Sequence, residues 1–164
     1  MSKKNTYIIL ILSILGVVGL YLFNKYRVAP PIDLTKFELT TADTTKFEIA
    51  SLKGKKVIVS FYASWCPNCL DELKTINAIK QQKLSDVEVL AITDEGLEKM
   101  LSFKNKKQYP FTFLSLNKSF PEIGINSIPV TYLLNKKGEV VYNHVGYIEW
   151  DDESTLDHLK SIME

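Results

Sequence analysis

Seven residues constrain this chain more than any others: Ser64-Trp65-Cys66-Pro67-Asn68-Cys69-Leu70. They hold both of its cysteines, two residues apart. An unbroken apolar and β-branched run, Val57 to Tyr62, precedes them and reads as a buried strand. Leu70 to about Leu84 follows with Leu70, Leu73, Ile76 and Ile79 on one side, which reads as a helix. The pair therefore falls at a strand-to-helix turn, in the first turn of the helix. A helix N-terminus carries roughly half a positive charge and unpaired N–H groups, and both favour an anion. A thiolate placed there has a lowered pKa, and the thiolate is the nucleophile of disulfide exchange. The pattern implies that Cys66 attacks disulfides and Cys69 resolves the mixed disulfide.

Other uses of two cysteines fit less well. Inert core cysteines rarely open a helix at this spacing. Half of a zinc site would need further ligands, and His144 and His158 lie far downstream without a second Cys-x-x-Cys. A c-type haem attachment needs histidine directly after the second cysteine, where Leu70 stands. With 164 residues the chain has room for one domain and an accessory segment. Its net charge of +1 gives no reason to expect nucleic acid as a partner. No repeat or low-complexity tract is present, and two cysteines in one motif are not a structural disulfide framework.

Asn5 to Asn24 contains no charged residue, and Tyr7 to Phe23 is almost wholly apolar. A helix of about 20 residues spans about 30 Å, the thickness of a bilayer core. Tyr7, Tyr21 and Tyr26 stand near its ends, where interfacial aromatics are common. A cleaved signal peptide is the competitor, but the run is long for one and Val28-Ala29-Pro30-Pro31 is a poor cleavage site. No cysteine lies nearby to carry a lipid. We expect residues 1–27 to be a membrane anchor, residues 28–35 a short stiff linker, and residues 36–164 the folded domain. Lys3 and Lys4 before the span nearly balance Lys25 and Arg27 after it, so charge orients the anchor weakly. Export of the domain is favoured because disulfides persist outside the cytoplasm.

Within the domain, Phe37-Glu38-Leu39 and Lys46 to Ile49 alternate apolar with polar residues and predict a leading hairpin. Val87 to Thr93 predicts a second buried strand, and Asp94 a cap for a helix reaching about Lys107. Phe111 to Ser115 predicts a short strand, and Ser119 to Ile123 a helical turn. Val130 to Leu134 and Glu139 to Tyr142 flank Asn135-Lys136-Lys137-Gly138, a hairpin signal. A last helix is expected to open at Trp150 or Asp151. This order predicts an α/β fold, a mixed sheet with helices on both faces.

At this level the chain resembles thioredoxin-fold proteins, and more narrowly the membrane-anchored TlpA/ResA-type thiol–disulfide oxidoreductases. The resemblance rests on Leu52-Lys53-Gly54-Lys55, Val57 to Cys69, Gly124-Ile125-Asn126-Ser127-Ile128-Pro129-Val130-Thr131 and Asn135 to Gly138. It covers about Leu34 to the C-terminus, and the leading hairpin and the segment around Glu95 to Lys107 fit the narrower family better than plain thioredoxin. It implies a thioredoxin-like fold with a central mixed sheet flanked by helices, an N-terminal β-hairpin extension and a single N-terminal transmembrane helix. It also implies a cis Ile128–Pro129 bond beside the cysteines, where Trp65, Ile128 and Pro129 would receive an extended substrate. Thioredoxins carry a buried aspartate six residues before the first cysteine; Ser60 stands there. The narrower family has a glutamate three residues after the second cysteine, and Glu72 matches it. Glu72 is then a catalytic candidate governing deprotonation of Cys69, or else a solvated carboxylate favouring the helix dipole.

Pro67 and Asn68 shape the turn and tune the redox potential. Proline there resembles glutaredoxins and the oxidant DsbA-like proteins, whereas Ser64-Trp65 and the anchor resemble reducing, cytochrome-maturation relatives; the reductase direction is favoured. The expected partners are disulfide-containing proteins and a membrane thiol electron donor, with no metal and no organic cofactor. The expected location is the extracytoplasmic, periplasmic side of a bacterial cytoplasmic membrane. A non-catalytic docking module and a copper-delivery protein using His144 are the alternatives.

Overall fold

The computed structural model describes residues 3–27 and 29–164, and in the first segment the side chains of residue 5 and residues 7–23. The side chains of Lys3, Lys4, Lys25, Tyr26 and Arg27 lie outside the described residues, as does all of residue 28, the first of the expected linker. Helix α1 runs Lys3–Arg27. Ser13 within it donates to the Ile9 carbonyl at 2.9 Å, so its hydroxyl is satisfied inside the helix. Among the described residues no helix is long and apolar enough to cross a membrane. The described apolar side chains of α1 stop at Tyr7 and Phe23.

The domain is a seven-stranded sheet. Strand β1 (Leu39–Thr40) and β2 (Lys46–Phe47) form the leading hairpin, shorter than its sequence pattern predicts. Then come β3 (Lys56–Phe61), α2 (Pro67–Lys83), β4 (Val87–Thr93), α3 (Leu97–Lys107), β5 (Thr112–Leu116), β6 (Val130–Leu134), β7 (Val140–Val145) and α4 (Glu153–Ile162). The sheet order is β2-β1-β5-β4-β3-β6-β7. Strands β3, β4 and β5 run parallel, while β6 pairs antiparallel with β3 and β7 with β6. All of β3 is buried, as its lack of polar alternation requires of a central strand.

Alternation along the strands divides the core in two. Ile58, Val89, Ala91, Phe113 and Leu133 face a cluster built from all three helices of the domain. Val57, Val59, Phe61, Leu90 and Ile92 face the other cluster. There the expectation of helices on both faces is revised. Among the described residues no α-helix contributes to the second cluster; Ala29, Leu34, Leu52 and Phe120 cover it, from the chain before β1 and from 3₁₀ turns at Leu34–Lys36, Ile49–Leu52 and Phe120–Ile123. Part of the segment read as linker is thus docked: Ala29 and Leu34 are buried, and Tyr132 Oη donates to the Pro30 carbonyl at 2.8 Å.

Helix α2 begins three residues before the sequence pattern predicts. Cys66 is its N-cap and Pro67 its first residue, where a missing N–H costs nothing. At its other end Lys80 Nζ donates to the Leu84 carbonyl at 3.0 Å. Asp94 does not cap α3: Gly96 does, with φ of 90°. Asp94 instead accepts from the backbone N–H of Phe120 at 2.8 Å. The last helix starts later than expected, with Asp152 as N-cap, and Trp150 is fully buried before it.

Candidate active site

Strand β3 ends at Phe61 and α2 begins at Pro67, so the intervening loop delivers Cys66 to the helix start. Cys66 N–H donates to the Ala63 carbonyl at 3.1 Å, which closes the turn. Cys66 and Cys69 are joined as a disulfide. The backbone N–H of Cys69 donates to Cys66 Sγ at 3.2 Å, so the sulfur takes the place of a capping oxygen. The two cysteines are not equivalent. Cys66 keeps 5% of its surface accessible, less than its place at a helix start suggests, while Cys69 keeps none.

The Ile128–Pro129 bond is cis. Its loop lies against the disulfide, with Cys66 Sγ 3.9 Å from the Ile128 carbonyl oxygen. Trp65 stands out beside it, 71% exposed. Trp65, Ile128, Ile125, Phe120 and Asp94 line a small groove of about 200 Å³. Pro67 and Asn68 are exposed at the start of α2. The structure thus gathers Trp65, Cys66, Ile128 and Pro129 at one end of the sheet, with Cys69 behind.

Glu72 is not a surface carboxylate. It lies one helical turn after Cys69 and is fully buried. Thr131 donates to its two oxygens at 3.3 and 3.4 Å, and Trp150 Nε1 donates to Oε1 at 3.1 Å. Ser60 and Thr131 are paired in register on β3 and β6, and both turn to the helical face. The carboxylate therefore sits over a polar pair in an otherwise apolar layer. Ser60 Oγ, buried without a hydrogen-bond partner, faces it without completing a bond. Burial pushes the Glu72 pKa up to about 7; the bonds from Trp150 and Thr131 and the Ile148 backbone oppose that rise only in part. Near neutrality Glu72 can therefore hold or release a proton.

The family resemblance, which places a glutamate three residues after the second cysteine, pointed to Glu72. It did not reach Trp150, whose indole approaches from beyond β7, or Thr131 as its partner. Neither carries a local periodic signal. His144 lies opposite Thr131 in register and stacks on Tyr142, with rings 6.4 Å apart. Among the described residues no group of three His, Cys, Asp or Glu side chains is gathered as a metal site.

A disulfide at the start of a helix, beside a cis proline on a mixed sheet, defines the thioredoxin-like class. Residues 29–160 match the family model described as Redoxin, and the chain belongs to that family. It is a thiol–disulfide oxidoreductase by its family and its cysteine pair. The chain is 28% identical over 176 residues to the thiol–disulfide oxidoreductase ResA of Bacillus cereus, covering 99% of this chain and 97% of that one. Among solved structures it resembles the pneumococcal exposed lipoprotein thioredoxin of Streptococcus pneumoniae, with TM-score 0.56, 30% identity, and 76% and 98% of the two chains covered. It also resembles a thiol:disulfide interchange protein of the thioredoxin family from Chlorobium tepidum, with TM-score 0.63, 25% identity, and coverages of 83% and 99%.

The buried carboxylate makes stability depend on pH. Between pH 4.5 and about 7 the native protein holds a proton on Glu72 that the unfolded chain has released. Stability from this group is therefore fully present below pH 4.5, falls as pH rises through the window, and levels off above it. At 1.36 kcal/mol per pKa unit the loss is on the order of 3 kcal/mol. Glu72→Gln, measured by denaturant unfolding of the oxidised protein, should be more stable than the parent by about 2 kcal/mol near pH 8 and by much less near pH 4. An equal difference at both pH values would show that Glu72 titrates normally.

Proposed function

We propose that the protein reduces disulfides in protein substrates outside the cytoplasm, with Cys66 as nucleophile and Cys69 as resolving thiol. The observation that carries this is the asymmetry of the pair: one sulfur at the rim and capped by a helix N–H, the other sealed behind it. In the reduced protein the Cys66 thiolate attacks one sulfur of a substrate disulfide. A mixed disulfide forms and the first substrate thiolate leaves. Cys69 gives its proton to Glu72 and attacks Cys66 Sγ. The second substrate thiolate leaves, and the Cys66–Cys69 disulfide closes. The substrate has gained two electrons that the enzyme has lost. A membrane thiol donor returns them, and Glu72 returns the proton to Cys69.

Glu72 suits this use because a group with pKa about 7 can take up and return a proton near neutrality. Trp65 and the Ile128–Pro129 loop flank the disulfide and would receive the substrate segment. Pro129 has no N–H, and the Ile128 carbonyl oxygen before it lies 3.9 Å from Cys66 Sγ. The relative in Bacillus cereus is named a thiol–disulfide oxidoreductase, in keeping with this chemistry. The TlpA/ResA resemblance favours the reductase direction and substrates of cytochrome c maturation. The Pro67-Asn68 dipeptide is the feature that favours the opposite, DsbA-like direction.

The membrane anchor belongs to the same proposal. The described side chains from Tyr7 to Phe23 include no charge, and the large apolar ones are all exposed. Such a surface is disfavoured in water and suits lipid. The described apolar run from Tyr7 to Phe23 is 17 residues, about 26 Å at the usual helical rise. Anchor residues 1–27 would hold residues 36–164 at the periplasmic face of a bacterial cytoplasmic membrane. In cells, protease added to the outer face should cleave the domain from a membrane-bound chain; recovery of an intact soluble chain would contradict the anchor.

The cycle is tested by following both steps with a protein disulfide as substrate. Cys69→Ser should stop after the first and accumulate a mixed disulfide through Cys66. Glu72→Gln should slow closure of the Cys66–Cys69 disulfide about a hundredfold near neutral pH. Absence of a trapped species, or closure at the parent's rate across pH, removes the corresponding role. A reduction potential near about −120 mV would reverse the direction.

A further inference from the structure

Asp94 and Glu95 follow β4 directly and are absent from the cycle above. Their side chains nevertheless reach both sides of the site. Glu95 carries one of the few largely buried carboxylates, with 7% of its side chain exposed. Its Oε2 accepts from the Ser64 backbone N–H at 2.5 Å, and its Oε1 accepts from Ser64 Oγ at 2.9 Å. Lys99, one turn along α3, lies 3.6 Å from Oε1. The backbone N–H of Glu95 donates to Thr93 Oγ1 at 3.3 Å, which fixes the base of the side chain. Asp94 meanwhile holds the N–H of Phe120, in the 3₁₀ turn on the other wall of the groove.

Ser64 precedes Trp65 and Cys66, and its N–H has no strand partner because β3 has ended. A two-point grip on both donors of one residue fixes its position and its orientation. The same loop is braced from below by Tyr62, whose ring packs on Phe103 of α3 at 5.0 Å. Small displacements of reacting groups cost large factors in rate.

We propose that Glu95 is a positioning residue for the reaction: by holding Ser64 at two points it sets where Trp65 and the Cys66 sulfur stand. This rests on the reading of Cys66 as nucleophile. The Glu95 carboxylate bonds Ser64 and Lys99 rather than either sulfur, so its contribution is shape rather than proton transfer. Two variants separate shape from charge. Glu95→Gln loses the charge but keeps the length; its Oε1 can accept from Ser64 N–H while its Nε2 donates to Ser64 Oγ. Glu95→Asp keeps the charge but withdraws the carboxylate by one methylene from both donors.

The measurement is the rate of Cys66 alkylation by iodoacetamide in the reduced full-length protein, with the modified cysteine identified by mass spectrometry, alongside the rate of exchange with a small aromatic disulfide. We expect Glu95→Asp to slow both about tenfold and Glu95→Gln to stay within about threefold of the parent. Thermal midpoints measured in parallel separate a brace from a positioning role: a brace would lower the midpoint of Glu95→Asp and leave both rates unchanged. That result overturns the proposal. So does slowing in Glu95→Gln equal to or greater than that in Glu95→Asp, which would assign the effect to charge. A parent protein whose Cys66 is itself unreactive would instead remove the nucleophile reading on which the proposal stands.

Discussion

A carboxylate sealed inside an apolar layer is the constraint around which this domain is arranged. Glu72 is supplied by α2, and its partners come from β6 and from the segment after β7. Burying such a group costs free energy unless it is hydrogen-bonded or neutral. Thr131 and Trp150 make that burial tolerable and do not abolish its cost, which remains as a pKa near 7. Helix α2 must therefore sit at one depth and one rotation over the Ser60–Thr131 pair. The same rotation seals Cys69 and leaves Cys66 at the rim.

Two electrostatic influences act on the cysteine pair in opposite senses. The helix N-terminus and the Cys69 N–H favour a thiolate at Cys66. An ionised Glu72, one turn further along, disfavours negative charge on its neighbours. Protonating Glu72 removes the opposition. In the proposed cycle a proton moved from Cys69 to Glu72 leaves the total charge of the site unchanged while it creates the nucleophile that closes the disulfide. A carboxylate with an ordinary pKa would hold no proton at neutral pH and would return none when the dithiol is regenerated.

Much of this was legible in the residues. The strand Val57 to Tyr62, the helix after it and the cysteines between them follow from apolar pattern and spacing alone. Glu72 followed from position and resemblance, but its state did not: a glutamate on a helix with many lysines reads equally well as solvated. Its burial depends on Thr131 and Trp150, which are 59 and 78 residues away in sequence. Asp94 departs from its local pattern for a related reason. A local rule makes it a helix cap, while the fold offers it the N–H of Phe120, 26 residues downstream. Likewise periodicity could not tell that the chain from Ala29 and three short 3₁₀ turns would cover one sheet face in place of α-helices.

The account stands most directly on the proton affinity of that one buried side chain. Carboxyl carbon chemical shifts of Glu72, followed by NMR across pH in the oxidised protein, report it without reference to activity. A midpoint near 7 is what the enclosure by Thr131, Trp150 and the apolar layer requires. A midpoint in the ordinary glutamate range, about 4.3, would mean that water reaches the group and that it carries no proton to exchange with Cys69.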